Sequence, residues 1–228
     1  QQFSLLVASY SVTAGITGFI SAFLIDRYDR KKSLLLVYTG FAIGTLACAF
    51  APTFFVLLIT RSLAGAFGGV LGALILSMVS DAIPLERRAK SIGIVMVSFS
   101  VASVFGVPFG LFIANKSSWH APFLFLGILA LLIDVLIVFF VPRFISHLTG
   151  GFKKKNPLEV LQAIFGNAKT RFGLSFSAVL MLGHFTIIPF LAPYMVGNVG
   201  FSEQELASIY FVGGALTMFF SPWVGKRA

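Results

Sequence analysis

Long apolar segments alternate with short polar breaks along the whole chain. Seven of these segments are about 20 residues long or longer, enough for a helix to cross a hydrocarbon core of roughly 30 Å. They cover residues 4–25, 33–51, 54–80, 92–114, 121–142, 172–196 and 205–225. Each is a continuous apolar run, whereas the strands of a transmembrane barrel alternate in polarity over about ten residues. The pattern predicts an all-α membrane protein with about seven transmembrane helices.

The composition agrees with this interpretation and excludes several classes of chemistry. Of the 228 residues, 57% are apolar and 11% are charged, whereas soluble domains usually carry about a quarter charged residues. The single cysteine, Cys48, excludes a disulfide framework, and with only three histidines the chain is a poor candidate for a metal site. The chain also lacks the G-x-x-x-x-G-K-S/T loop that binds nucleotide phosphates. We therefore expect no metal, no cofactor and no ATP hydrolysis.

The basic residues indicate how the segments are oriented. Lys and Arg number 17 against 8 Asp and Glu. Fifteen of the 17 lie in the loops after the first, third, fifth and seventh segments, while Lys116 lies in an alternate loop and Arg61 lies inside a segment. Short loops rich in Lys and Arg stay in the cytoplasm, so we expect the start of the chain outside and its end inside. The positive charge is thus a topology signal, and we expect no nucleic-acid partner.

Residues 143–171 form a long connection between the fifth and sixth segments. This connection contains a Gly-Gly pair, three consecutive lysines and a short amphipathic stretch at 158–165 that suits the inner membrane surface. We interpret it as a linker between two helical bundles, residues 1–142 and 172–228. The start lacks Met, a basic stretch and a cleavage site, and we expect the chain to be a fragment of a longer protein.

Small residues recur at helical spacing on three segments, where they let helix backbones approach each other in lipid. The three stripes are Ser4, Ala8, Ser11, Gly15, Gly18 and Ala22; Arg61, Gly65, Gly68 and Gly72, with Gly69 beside them; and Ser98, Ala102, Gly106 and Gly110. The stripes predict tight helix packing. The alternative is that these faces slide or hinge, with Pro108 removing a backbone donor and bending the fourth segment.

Five short motifs lie in order along the chain. The first follows the pattern G-x-x-x-D-R-x-G-R-K/R at Asp26, Arg27, Arg30 and Lys31, with Ala22 and Asp29 in the glycine positions. The others are Arg61 and Gly65 in R-x-x-Q-G, with Ala64 replacing Gln; the loop at Asp81, Pro84, Arg87 and Arg88; Gly106, Pro108 and Gly110 in G-x-P-x-G; and residues 119–123. Together they resemble the major facilitator superfamily, most closely its twelve-span drug and sugar efflux antiporters, which include the arabinose efflux permeases.

The resemblance implies a place for each part of the chain in the family fold. The seven spans correspond to the second to eighth helices, so residues 1–142 are the N-terminal bundle and 172–228 start the C-terminal bundle. The segment 143–171 then corresponds to the central cytoplasmic loop. Asp26, Arg30 and Asp81 are implied to form a charge network that holds an inner gate, with plain solvated loop charges as the alternative. Gly106, Pro108 and Gly110 are implied to form the antiporter motif of the family's fifth helix.

Two basic residues within the spans are candidates for the transport site, since a charge at membrane depth costs about 3 kcal/mol or more. Arg61 lies roughly 12 Å deep at 1.5 Å per residue. The resemblance implicates it in proton coupling or anion binding, and snorkelling to the outer surface is the alternative. His184 lies near Pro189 and Pro193, which can break a helix. We expect a proton carrier or substrate contact there, with Tyr194 as companion, or else a structural histidine.

Asp134 is the third ionisable residue within a span. No other charged residue lies in its segment. It is either a protonatable group that takes part in coupling or a neutral, structural carboxyl group. The resemblance favours the structural role, because the corresponding helix is peripheral in the family.

The function implied by these features is secondary active export of a small molecule, a drug-like compound or a sugar, in exchange for protons by alternating access. Proton-coupled uptake of a sugar or metabolite is the alternative with the same fold. A non-transporting sensor or scaffold, or an intramembrane enzyme, is more distant, because no nucleophile is paired with a base in the sequence. We expect a protein of the bacterial inner membrane that is monomeric at full length and draws on the proton gradient.

Overall fold

The computed structural model describes residues 2–24, 28–142, 162 and 165–225. Every regular element in these ranges is helical. The helices are α1 (Gln2–Leu24), α2 (Arg30–Ala49), α3 (Phe54–Ala82), α4 (Leu85–Val101), α5 (Val107–Lys116), α6 (His120–Phe140), α7 (Ala168–Tyr194) and α8 (Glu203–Gly225). Each predicted segment coincides with a helix, the fourth with α4 and α5 together. The predicted all-α membrane fold is confirmed.

Five stretches of the described residues are long and apolar enough to cross a membrane. They are Ser4–Ser21, Arg30–Ala49, Phe54–Ala82, Leu85–Lys116 and His120–Phe140. Large apolar side chains remain exposed on these helices, among them Leu36, Phe139 and Phe140 at 72%, 76% and 79%. An apolar exterior of this kind suits contact with lipid rather than water. The last two predicted spans are helical as α7 and α8, and their membrane crossing stays a prediction.

Short polar side chains fix the starts of several helices by accepting hydrogen bonds from the first free backbone N–H groups. Asp29 accepts from the Lys31 amide at 2.9 Å at the start of α2, and Thr53 accepts from the Val56 amide at 3.3 Å at the start of α3. Ser202 and Glu205 form a reciprocal capping box before α8. These caps explain why the helices begin directly after the polar breaks in the sequence.

The fourth predicted span is interrupted by a π-helical turn, Ala102–Gly106, between α4 and α5. Pro108 follows it directly and has no backbone N–H to donate to the Val104 carbonyl, so regular α-helical bonding cannot continue through this point. The space beside Gly106 and Gly110 is open, because an added Cβ at either position would meet nothing within 4 Å. The third stripe therefore lies at a helix irregularity and is not a tight packing face, and its hinge role stays a prediction.

The prediction that Pro189 and Pro193 break their helix is wrong for the described backbone. Helix α7 continues through both prolines to Tyr194 and only then passes into a π-helical turn, Met195–Val199. The turn ends at Gly200, whose φ of 82° lies in the left-handed region that glycine adopts without strain. The irregular backbone thus follows the two prolines instead of coinciding with them.

Small residues bring α1 and α3 into close contact. A Cβ at Gly65 would lie 2.5 Å from the Tyr10 carbonyl oxygen, and one at Gly69 would overlap the backbone of Ala14. Thr17 adds a hydrogen bond from its hydroxyl to the Ala66 carbonyl at 2.6 Å. The predicted packing of the α3 stripe is confirmed at its centre, whereas Gly72 has no such neighbour.

The stripe predicted on α1 does not face α3. Ala8, Ser11 and Gly15 are exposed, and only Gly18 lies close to α3, where an added Cβ would come 3.1 Å from the Gly69 carbonyl oxygen. The α1 residues that meet α3 include Tyr10, Thr13, Ala14 and Thr17. Small residues at helical spacing occur on two sides of α1, and the sequence alone did not distinguish them.

Helices α2, α3 and α6 share the apolar core. Its buried members are Leu34, Leu71, Leu74, Met78 and Ile137. By its contacts the chain divides into two compact units, Gln1–Gly151 with Tyr210–Ala228, and Phe152–Ile209. The core belongs to the first unit, and α7 belongs to the second. Residues 143–161, 163 and 164 of the predicted linker, which include most of its amphipathic stretch, lie outside the described residues, and α7 already begins at Ala168. The predicted bundle boundaries stay predictions.

Candidate functional site

A cavity of about 220 Å³ opens between α1, α2, α3 and α6, and we call it the bundle cavity. Its wall is mostly aromatic and aliphatic. The lining residues are Tyr10, Tyr38, Phe41, Thr45, Cys48, Arg61, Ala64, Phe123, Leu126, Leu129, Ala130 and Ile133. At about 30 Å³ per water molecule, the space suits several waters or a small organic group.

Arg61 supplies the positive charge of the bundle cavity. Its guanidinium carbon lies 4.7 Å from the centroid of the Tyr10 ring and 5.8 Å from the centroid of the Phe123 ring. Such contacts are worth about 0.5–2 kcal/mol each and grow as water is excluded. Within the described part of the chain, no carboxylate lies within salt-bridge distance of Arg61. The arginine is therefore held by aromatic faces with its hydrogen-bond donors available to the cavity.

The structure explains how the sequence places Arg61 there. The α1–α3 contact at Gly65 sets the distance between the two helices, and the Tyr10 hydroxyl lies where Gly68 has no side chain. Tyr10 reaches over α3 only because Gly65 and Gly68 leave that room. Sequence analysis identified Arg61 and the glycines but missed Tyr10 and Phe123, since nothing local in the sequence pairs residues from three separate helices.

Asp134 lies behind the cavity wall, between α6 and α2. The Thr39 hydroxyl and Asp134 Oδ2 are 2.5 Å apart, and Asp134 Oδ1 is buried with no hydrogen-bond partner among the described residues. Asp134 does not line the cavity, although its neighbour Ile133 does. No local pattern in the sequence points to Thr39, which lies on a different helix.

The two remaining predicted contacts of the transport site lie in the second unit. The backbone of His184 belongs to α7, while its side chain lies outside the described residues. Tyr194 ends α7 and is 57% exposed. A site that combines either residue with Arg61 stays a prediction.

Charged residues lie close together where α2 and α6 meet the end of α3. We call Arg30, Lys31, Asp81 and Arg88 the inner-end cluster, a name that follows the predicted orientation. Arg30 Nε donates to Asp81 Oδ2 at 3.0 Å, with the Arg30 side chain 5% exposed and that of Asp81 26% exposed. Lys31 Nζ donates to the Val138 carbonyl at 2.7 Å, which joins α2 to the end of α6. Arg88 Nη2 donates to the Ser80 carbonyl at 2.7 Å and so caps α3.

The structure thus brings together part of the predicted gate motif. Arg30 and Asp81 pair directly, and Lys31 and Arg88 bind carbonyl groups near helix ends. Arg87 is exposed. Asp26 and Arg27 lie outside the described residues. A gating role for the cluster stays a prediction.

These features define a multi-pass membrane protein with a cationic, aromatic cavity inside one helical bundle and a charged cluster at one end of that bundle. The sequence model of the Major Facilitator Superfamily matches residues 1–228. The chain therefore belongs to the Major Facilitator Superfamily.

Relatives and a solved structure agree with this assignment. The chain is 27% identical over 223 residues to the uncharacterized MFS-type transporter YfhI of Bacillus subtilis (strain 168), covering 95% of this chain and 54% of that protein. It is 21% identical to a probable sugar efflux transporter of Mannheimia succiniciproducens, covering 92% and 51%. A bacterial homolog of the human lysosomal transporter Spinster, solved inward-facing and unoccupied, matches with a TM-score of 0.65 at 23% identity, covering 95% and 51%.

These matches cover nearly all of this chain but only about half the length of each relative. The structural likeness, at 23% identity, supports the fold alone. What the whole protein transports is therefore argued from the site.

Proposed function

We propose that the full-length protein is a secondary active transporter that exports a small molecule in exchange for protons by alternating access. The observation that carries this proposal is a lone arginine held by two aromatic rings inside an apolar cavity. A charge in such a place is costly, and residues of this kind mark functional sites in membrane proteins. Names among the relatives support the direction, since three are probable sugar efflux transporters, from Mannheimia succiniciproducens, Helicobacter acinonychis and Pasteurella multocida.

Arg61 has two chemical roles in this proposal. Its fixed positive charge attracts an anionic or strongly polar group of the substrate through up to five N–H donors. The same charge favours the ionised form of any acid brought near it, so that arrival of a proton and departure of a substrate become linked. The aromatic wall supplies the apolar contact area for a drug-like compound or the rim of a sugar ring.

The inner-end cluster is proposed as the gate of the same cycle. The bond between Arg30 and Asp81 joins α2 to the end of α3, and the bond from Lys31 joins α2 to α6. These bonds hold three helix ends in one arrangement, and a transporter that alternates access needs one set of such bonds to break in the other state. We further propose that the protein lies in the bacterial inner membrane, uses the proton gradient without a cofactor and functions as a monomer.

Proton-coupled uptake is the second candidate, and one comparison favours it. Over 99 residues the chain is 35% identical to the vacuolar membrane amino acid uptake transporter fnx2 of Schizosaccharomyces pombe, covering 43% of this chain and 17% of that protein. The same cavity serves import or export, because the direction of coupled transport follows the gradients and the coupling rather than the fold.

Transport in proteoliposomes tests the proposal. The full-length protein, reconstituted with an imposed proton gradient, is assayed against a panel of sugars, amino acids and aromatic drug-like compounds. We expect gradient-driven flux of at least one compound and a loss of about tenfold or more in the Arg61→Ala variant, because one charge-assisted contact is worth about 1.5–3 kcal/mol.

Two further variants make the result specific to Arg61. Arg61→Lys keeps the charge but not the planar donor fork, and we expect partial flux. Arg171→Ala removes an exposed arginine at the start of α7 and serves as the control with unchanged flux. Full gradient-driven flux in Arg61→Ala would show that transport does not need Arg61 and would contradict its proposed role. Flux that is independent of the proton gradient would contradict proton coupling.

A further inference from the structure

Asp134 occupies an unusual position that the proposed transport site does not use. It lies about 9 Å along α6 from the last residue of that helix, at 1.5 Å per residue. Thr39, its hydrogen-bond partner, lies about 14 Å along α2 from the first residue. Both residues therefore lie within the apolar lengths of their helices, and the Lys31 ammonium binds the Val138 carbonyl one turn nearer the end of α6.

The surroundings of Asp134 do not suit a permanent negative charge. A carboxylate has two oxygens that need hydrogen-bond donors. Here the Thr39 hydroxyl donates to Oδ2, while Oδ1 is buried without a partner in the described residues. In hydrocarbon an unsatisfied charged oxygen is strongly unfavourable, whereas a neutral carboxyl group needs far less compensation. The geometry thus favours a proton on Asp134 while α2 and α6 are packed as observed.

The charged and titratable groups of the neighbouring helices do not neutralise Asp134. In the described ranges none of them forms an ion pair with it. They are Arg30, Lys31, Lys32, Tyr38 and Cys48 on α2, Lys116 on α5, and Arg61 and Asp81 on α3, which packs against α2; α6 itself carries His120 as its first residue.

Tyr38 provides the route between Asp134 and the bundle cavity. It precedes Thr39 in the sequence and lines the cavity, as does Ile133 beside Asp134. One layer of side chains therefore separates the carboxyl group from the cavity.

We propose that Asp134 is a proton-binding site of the protein that exchanges its proton with the bundle cavity past Tyr38. On release, the carboxyl O–H bond breaks, the proton passes to water in the cavity, and the electron pair stays on the carboxylate with Thr39 as donor. The inference goes beyond the proposed function, because it assigns a proton site that neither Arg61 nor the inner-end cluster requires.

Reaction with a membrane-soluble carbodiimide tests this site, because the reagent modifies protonated carboxyl groups. The full-length protein in proteoliposomes is treated with dicyclohexylcarbodiimide across a pH series, and mass spectrometry measures the adduct on the peptide that carries Asp134. We expect labelling at low pH that disappears as the pH rises, and no adduct at that position in Asp134→Asn.

Two threonine variants test the bond to Thr39. Thr39→Val removes the one side-chain donor that the described residues offer to the carboxylate, so the pH of half-maximal labelling should move upward. Thr60→Val removes a hydroxyl that donates within its own helix, to the Val56 carbonyl at 3.0 Å, and should leave that pH unchanged. A merely structural carboxyl group would stay labelled at every pH, and that result would overturn the proposal, as would an absence of labelling at every pH.

The labelling does not depend on transport. If the wild-type protein shows no gradient-driven flux but Asp134 is labelled with the expected pH dependence, the proposed function fails and the proton site stands. If flux is gradient-driven and Asp134 labelling is independent of pH, the proton site fails and the proposed function stands.

Discussion

The bond between Arg30 and Asp81 shows how much a single pair depends on its surroundings. Arg30 is almost fully buried, so its charge needs the carboxylate, whereas Asp81 keeps about a quarter of its side chain in contact with solvent. Removing one partner of a buried pair costs more than the pair itself contributes, because the other charge remains desolvated. The two partners should therefore respond differently to mutation.

We expect Asp81→Ala to destabilise the protein by about 1.5–3 kcal/mol, since it removes a charge-assisted hydrogen bond from the buried Arg30 guanidinium. Asp81→Asn keeps a neutral acceptor for Arg30 Nε and should cost less. Arg87→Ala, at an exposed position of the same loop region, is the control with no measurable change. Thermal unfolding of the purified full-length protein in detergent, followed by circular dichroism, measures the order of the three. Equal unfolding temperatures for Asp81→Ala and Arg87→Ala would mean that the pair does not stabilise this state.

Single residues also show where sequence reasoning ends. Arg61 and Asp134 were identified because a charged residue inside an apolar segment is visible in the sequence and costly in a membrane. Their partners were missed. Tyr10, Phe123 and Thr39 belong to other helices, and an aromatic ring or a hydroxyl group is unremarkable in a membrane span until the helices are placed side by side.

At the scale of helices, the segment boundaries were predictable, because the length of an apolar run and its polar breaks follow from the thickness of the bilayer. The packing faces were only partly predictable. The glycines of α3 meet α1 as expected, but the small residues Ala8, Ser11 and Gly15 of α1 do not meet α3. Spacing identifies a face that permits close approach, whereas the neighbour that uses it depends on the arrangement of the whole bundle.

Two glycines one turn apart on α3 test this packing. A methyl group at Gly69 would overlap the backbone of Ala14, while one at Gly72 would meet nothing within 4 Å. We expect Gly69→Ala to destabilise the protein by about 1–3 kcal/mol through overpacking. Gly72→Ala should be neutral or stabilising by up to about 1 kcal/mol, because alanine is the better helix former. Thermal unfolding in detergent compares them, and an equal effect of the two substitutions would contradict the observed α1–α3 contact.

At the scale of the whole molecule, the distribution of charge and the fold of the first unit agree on which helix ends lie together. Arg30, Asp81 and Arg88 meet around the end of α3. At the opposite ends, His120 Nδ1 lies 2.8 Å from the Ala49 carbonyl oxygen, which joins α6 to the end of α2. The sequence predicted this grouping from the alternation of basic and neutral loops, without any knowledge of helix contacts. The arrangement of the second unit's α7 cannot be derived in the same way, because loop charge orients a helix but does not choose its neighbours.

Two exposed lysines at opposite ends of the first unit test the orientation in the membrane. Lys90 follows the start of α4 and Lys116 ends α5, so the α4–α5 segment separates them. Each is replaced by cysteine in a full-length protein in which Cys48 and any other cysteines are serine, and intact cells are treated with a membrane-impermeant maleimide. Because basic loops stay inside, we expect Lys116→Cys to be labelled from outside and Lys90→Cys only after the cells are permeabilised. The reverse pattern would invert the topology and place the bond between Arg30 and Asp81 at the outer surface, where it could not serve as an inner gate.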